Sequence, residues 1–177
     1  MNMRWSRFNF YFGLLLAGAL LGGCLVPESR KKRQPSTIAV HLEVPPDGTN
    51  LNEPVPIYRA EPVMINVERT PFLTELNLSE AKVVDVMGGF AIRIQFGRQG
   101  TWLLEQRSVA YHGKRFAIFC KFGEHLKNER WLAAPVISRR IADGVLIFTP
   151  DATREEADEI VLGLNNVGRE VEKKTKW

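Results

Sequence analysis

Hydrophobic residues recur along this chain with two different periods. Phe90, Ile92, Ile94 and Phe96 alternate with Ala91, Arg93 and Gln95, which predicts a strand with one apolar face. A second extended run, 83–87, precedes it, and Gly88-Gly89 joins the two. Glycine tolerates the positive φ of tight primed turns, so this is a hairpin signal. Near the C-terminus the period changes. Ala157, Ile160, Val161, Leu164 and Val167 recur at three- and four-residue steps and predict an amphipathic helix over 153–167. Thr153-Arg154-Glu155-Glu156 has capping-box spacing at its start. Glu155, Glu156, Asp158 and Glu159 fall where the helix dipole favours negative charge.

Between these anchors, 63–67 reads as a strand ended by Thr70-Pro71, and 76–81 as a short helical turn or loop. Residues 101–111 read as a helix closed by Gly113. The run 115–122 is apolar on both faces, as a central strand covered on both sides is. A polar loop, 123–130, leads to an extended stretch, 131–141, interrupted by Pro135. Asp143-Gly144 then turns the chain into a strand over 145–148. The expected fold is α+β: a mainly antiparallel sheet with two helices, 101–111 and 153–167, packed largely against one face. The expected domain spans 63–168 and a charged tail spans 169–177.

The first residues carry a different pattern. Residues 1–7 are short and basic, 8–21 are almost unbroken apolar, and Leu21-Gly22-Gly23-Cys24 follows at once. The apolar run suits a signal-peptide core and is shorter than the ~20 residues of a spanning helix. The tetrapeptide resembles the lipobox of bacterial lipoproteins. That resemblance implies cleavage between Gly23 and Cys24 and acylation of Cys24, whose thiol takes the lipid; two acyl chains make anchoring stable. Leu25 stands where an aspartate would signal inner-membrane retention, so outer-membrane placement is favoured. Seven of the ten prolines lie between Pro27 and Pro62. They predict a solvated tether over 24–62, with a basic run at 30–33 that suits anionic headgroups and one isolated strand at 38–44.

Composition narrows the function more than it identifies it. The formal charge of +4 falls to +2 without residues 1–23, which hold Arg4 and Arg7 and no acid. The basic residues are scattered rather than interleaved with aromatics, which argues against a nucleic-acid partner. His41, His112 and His125 fall in no metal-ligand pattern, and Cys120 has no C-x-x-C companion, so neither a metal nor a cofactor is expected. Cys120 sits in the apolar run Phe116 to Phe122 and reads as a small core residue. None of Ser36, Ser79, Ser108 or Ser138 stands in a nucleophile elbow. The clustered acids at 155–159 read as a solvated helix face. The chain is not expected to be an enzyme, and no small-molecule substrate is inferred.

Several motifs, in order, resemble the periplasmic head domain of SecD, the accessory subunit of the bacterial protein-export translocase. Pro71-Phe72-Leu73-Thr74 is similar to the family's P-x-L-T after a strand. Gly97 with the helix after it, and Gly113-Lys114-Arg115-Phe116-Ala117-Ile118, resemble its Gly-initiated helix and Gly-Lys-x-hydrophobic-Ala-Ile. Ala134-Pro135-Val136-Ile137 matches its S-A-P-V-I, and Phe148-Thr149 then Glu155-Glu156-Ala157 follow in the expected order. The loop 123–130 is longer than the family's turn there, and Asp143-Gly144 replaces a Gly-Gly pair. The motifs cover the head alone, whereas SecD's membrane helices supply its motor, so the resemblance implies binding of extended polypeptide rather than active translocation. Strand addition to a sheet edge is the expected mode, in the segment 131–141 with Trp131, Arg139 and Arg140. Partners on this reading are the membrane, through the lipid, and unfolded polypeptide or Sec translocase components at the bacterial cell envelope. The alternative is a scaffold lipoprotein without a translocation role.

Overall fold

The computed structural model describes residues 34–175, with side chains through residue 170. The signal over 1–23, Gly23 and Cys24 with the expected lipid, and the basic run 30–33 lie outside the described residues.

Nine strands and two helices follow one another along the described chain. Strands β1 (Thr37–Leu42), β2 (Asn52–Ile57), β3 (Val63–Glu68), β4 (Leu73–Thr74), β5 (Leu78–Val86) and β6 (Gly89–Phe96) precede helix α1 (Arg98–Ala110). Strands β7 (Phe116–Phe122), β8 (Asn128–Ala133) and β9 (Val145–Phe148) then lead to helix α2 (Arg154–Thr175). All ladders are antiparallel, but they form three sheets instead of one: β4-β1-β7-β8, β2-β3 and β5-β6-β9. The α+β class holds. Leu104 of α1 and Ala157, Ile160 and Leu164 of α2 enter the same core, with Val40, Ile92, Ile94, Ile118 and Phe122. Cys120 is in that core, and burial pushes its thiol pKa up, which leaves it an unreactive packing group.

The folded part begins before residue 63. Strand β1 lies between β4 and β7 in the four-stranded sheet, with Val40 opposite both Leu73 and Ile118. Strand β2 carries two prolines that signalled tether, yet both fit an edge strand. The bond from Arg69 N–H to Leu51 C=O fixes which residues face β3. By alternation Pro54 and Pro56 face outward, where no ladder N–H is needed. Val55 and Ile57 are buried with Ile65, Val67 and Ala117 in a second, smaller core beneath this ribbon.

Two other local expectations are corrected. Residues 78–81 are strand, and the helical turn lies just before, at Glu75–Asn77, opened by a Thr74–Asn77 capping box. A bulge between Leu78 and Glu80 puts buried Leu78 and Ala81 three residues apart, which imitates helical spacing. The extended segment 131–141 is regular only to Ala133. Beyond it Pro135 and Ile137 bond singly to Phe116, Lys114 and Gly113. Strand β8 instead starts earlier, in the polar residues Asn128 and Glu129, because an edge strand is half in water; Glu129 pairs with Lys121 across the ladder.

Helix α2 opens as its sequence predicts: Glu156 N–H donates to Thr153 Oγ1 at 3.2 Å and Thr153 N–H to Glu156 Oε2 at 2.9 Å. It continues to Thr175, through most of the expected charged tail. Asn165 leaves its outer flank to bond strand β5. Its carboxamide accepts from Ala81 N–H and donates to Ala81 C=O, both at 2.9 Å. The side chain thus stands in for a neighbouring strand at that edge.

Candidate polypeptide-binding surface

Residues Gly100, Leu104 and Ser108 recur every four positions along α1 and form its buried side. Ser108 accepts the Ile141 N–H at 2.9 Å, and His112 lies 3.0 Å from the Ser138 carbonyl, so the segment 138–144 runs beside the helix. The opposite side of α1 is also apolar. Trp102 and Val109 stand there, each 58% exposed, with Gln106 and Ala110 between and beside them. An outward tryptophan and valine one above the other on the helix leave a contiguous apolar stripe in water.

Arg140 closes one side of this stripe. Its Nε donates to Glu105 Oε1 at 2.8 Å, and its Nη2 also contacts that oxygen. The six residues Trp102, Glu105, Gln106, Val109, Ala110 and Arg140 line an open groove of about 570 Å³. An apolar floor with one exposed ion pair at the rim can take up side chains by burial and orient a chain by charge. Among the described residues no group of three or more His, Cys, Asp or Glu side chains is placed to hold a metal ion.

The three residues singled out from the sequence do not converge. Arg140 is at the groove, and Arg139 is exposed beside it. Trp131 is half-buried on β8 under the β2-β3 ribbon. Its ring centroid lies 5.1 Å from that of His41, near T-shaped at 65°, and 5.1 Å from that of Phe119. His41 is buried in turn and donates from Nδ1 to Glu68 C=O at 2.7 Å. Trp131 therefore seats the ribbon on the four-stranded sheet.

The outer edge of β8 is occupied as well. Asp151 N–H donates to Leu132 C=O at 2.7 Å. Arg130 donates to Asp151 C=O at 2.9 Å and to both Glu156 oxygens at 3.0 Å. Arg59, at the ribbon's hairpin, donates to the Asp151 carboxylate at 2.8 Å from its N–H and 3.1 Å from Nε. Hydrogen bonds from Arg59 outweigh the upward push of burial and hold the Asp151 carboxyl below its ordinary pKa; the Arg130 hydrogen bond lowers that of Glu156.

A second groove, of about 640 Å³, lies between the 43–54 segment and the ribbon. Pro45, Pro46 and Pro54 form part of its wall, and they offer no N–H to a polypeptide. The groove on α1 is hard to read in the sequence because Trp102 and Val109 share the helix with buried Leu104 and half-buried Leu103. The seven-residue offset of Val109 from Trp102, which puts both on one side of the helix, is the signal that marks it.

Comparison with known proteins places this arrangement. Residues 52–167 match the family described as SecDF, P1 head subdomain. No curated protein matches the sequence. Among solved structures the chain resembles one reported as a membrane component SecDF that enhances protein export, with a TM-score of 0.55 and 20% identity over 82% of this chain and 71% of that one. It also resembles SecDF in a super-membrane-facing form, with a TM-score of 0.54 and 19% identity over 78% of this chain. There it spans 20% of the other chain's length. At these identities the likeness is one of fold.

Proposed function

The chain belongs to the SecDF P1 head family, and from that premise we propose that it is a lipid-anchored, non-catalytic protein of the bacterial envelope that holds extended polypeptide in connection with protein export. The domain faces the periplasm or the cell exterior. The observation that carries the binding reading is the open apolar side of α1, with Trp102 and Val109 each 58% exposed beside the Arg140–Glu105 pair. A scaffold needs no such surface. No helix among the described residues is long and apolar enough to cross a membrane, and the tether on this reading is the lipid on Cys24.

Binding is tested with the full chain in detergent and a short peptide of alternating valine and threonine. Replacing Trp102 and Val109 together by serine is expected to weaken binding about tenfold or more, since a buried tryptophan anchor carries much of an interface's energy. Equal affinity for the variant and the parent sinks the groove as the binding surface.

The anchor is tested separately by intact mass of the protein purified from membranes. A chain starting at Cys24 and carrying acyl groups is expected, together with its loss from the membrane fraction in Cys24→Ser. An unmodified full-length mass sinks the lipoprotein reading and leaves the binding reading standing.

A further inference from the structure

Exposed sheet edges invite pairing with another chain, and proteins ordinarily block them. Five of the six edges of this fold carry a block. On β3 the Val44 N–H bonds the Asn66 carbonyl and the Asn66 carboxamide donates back to Val44 C=O. The outward positions of β2 hold Pro54 and Pro56, which lack an N–H. Strand β4 is two residues long. On β5 the Asn165 carboxamide occupies both main-chain groups of Ala81. On β8 the Asp151 N–H takes the Leu132 carbonyl and Arg130 is tied to Glu156.

Strand β9 carries none. It pairs only with β6, as the last strand of the three-stranded sheet. The bond from Phe96 N–H to Gly144 C=O fixes its register. By alternation Leu146 and Phe148 bond β6, while Val145 and Ile147 turn their main-chain groups away from the sheet. Asp143 Oδ1 accepts the Val145 N–H at 3.1 Å. Among the described residues nothing bonds the Ile147 N–H, the Ile147 C=O or the Val145 C=O. Ile147 itself is 51% exposed, on the sheet face opposite buried Leu146 and Phe148.

We infer that β9 is a docking strand: an extended polypeptide adds to its free edge and bonds the main-chain groups of Val145 and Ile147. The occupant is fixed by chemistry, because a free donor and two free acceptors along an extended edge are what another strand satisfies. Such bonding reads no side-chain sequence, which suits a site for diverse unfolded chains. The edge is continuous with the groove on α1. Segment 138–144 runs along that helix from Ser138 beside His112 to Gly144, where an added Cβ would lie 2.0 Å from Thr101 Oγ1, and it feeds directly into Val145. The inference rests on the polypeptide-binding reading above and adds the main-chain half of the contact.

The test uses the full chain in detergent with the valine–threonine peptide and the same peptide N-methylated on alternate amides. Ile147→Pro removes the outward donor while sparing the ladder to β6, and Ile147→Lys places a charge on the edge. Methylation of the peptide, and either substitution, is expected to weaken binding about tenfold or more. If Ile147→Pro does not fold, the methylated peptide, which leaves the protein unaltered, decides alone. Undiminished binding in these arms, with binding lost on replacing Trp102 and Val109, overturns the edge assignment and leaves the groove reading intact. Absence of peptide binding to the parent chain overturns both. A parent that self-associates, and that loses this association but not peptide binding in Ile147→Pro, assigns the edge to a second copy and overturns the inference.

Discussion

Leu164→Ala should lower stability by about 2–5 kcal/mol, the range for removing a fully buried leucine from a packed core. Leu164 is completely buried on the inner stripe of α2, in register with Ala157 and Ile160. The cost belongs in the upper part of the range if the surroundings are prevented from closing on the cavity. Two contacts on either side of Leu164 do prevent it: Gly163 lies against Ser36, and Asn165 is bonded to both main-chain groups of Ala81. Strands β1 and β5 hold the helix at fixed height, so the void remains. Denaturant unfolding checks this, with the midpoint falling at unchanged slope. A midpoint equal to that of the parent rules out the packing of α2 described here.

That helix was legible because its apolar period, its cap and its acidic first turn all agree, and the Thr153–Glu156 box forms as its spacing predicts. The β5-β6 hairpin was legible for the same reason, with Gly88 at φ +86 in the turn. What failed was reading position from local pattern where tertiary context overrides it. Prolines 54 and 56 argued for tether, but only half of a strand's N–H groups enter a ladder, and on an edge strand proline is tolerated at the others. The bulge at Leu78–Glu80 made a strand look helical. The run 38–44 reads as a strand without a home, because the neighbours of β1, which are β4 and β7, lie far along the sequence.

The candidate site was less legible than the fold. Trp131 and Arg140 are nine positions apart in one apparent strand, yet the regular ladder ends at Ala133 and the residues part company there. A tryptophan in sequence does not announce whether it seats a ribbon, as Trp131 does, or stands in water, as Trp102 does. Edges are harder still to read. Whether β8 is open depends on Asp151 reaching Leu132, a contact between residues with no shared pattern.

Gly163→Val should be the most damaging single change on the outer surface of the core, costing about 3 kcal/mol or more, above the usual 1–3 for overpacking. Two effects oppose each other at this position. Glycine inside a helix costs roughly 1 kcal/mol relative to alanine, so any side chain begins with a gain. Against it, a Cβ here would lie 2.2 Å from Ser36 Oγ, 2.6 Å from Ser36 N and 2.8 Å from Ser36 Cβ. The hydroxyl can rotate away. The main-chain nitrogen cannot, because residue 36 leads straight into β1, which is bonded to β7 along its whole length. Valine adds two further carbons in a fixed rotamer and returns most of the propensity gain. The helix must then lift from β1, and Asn165, two residues on, is drawn from Ala81. The β5 edge opens as a result, so the variant should aggregate on heating more readily than Leu164→Ala does at a similar loss of stability. Ser36→Gly in the same chain removes the Oγ and Cβ but not the nitrogen, so it should restore only part of the loss. Full restoration, or a Gly163→Val protein as stable as the parent, would show that the main chain at residue 36 does not limit the approach of the helix.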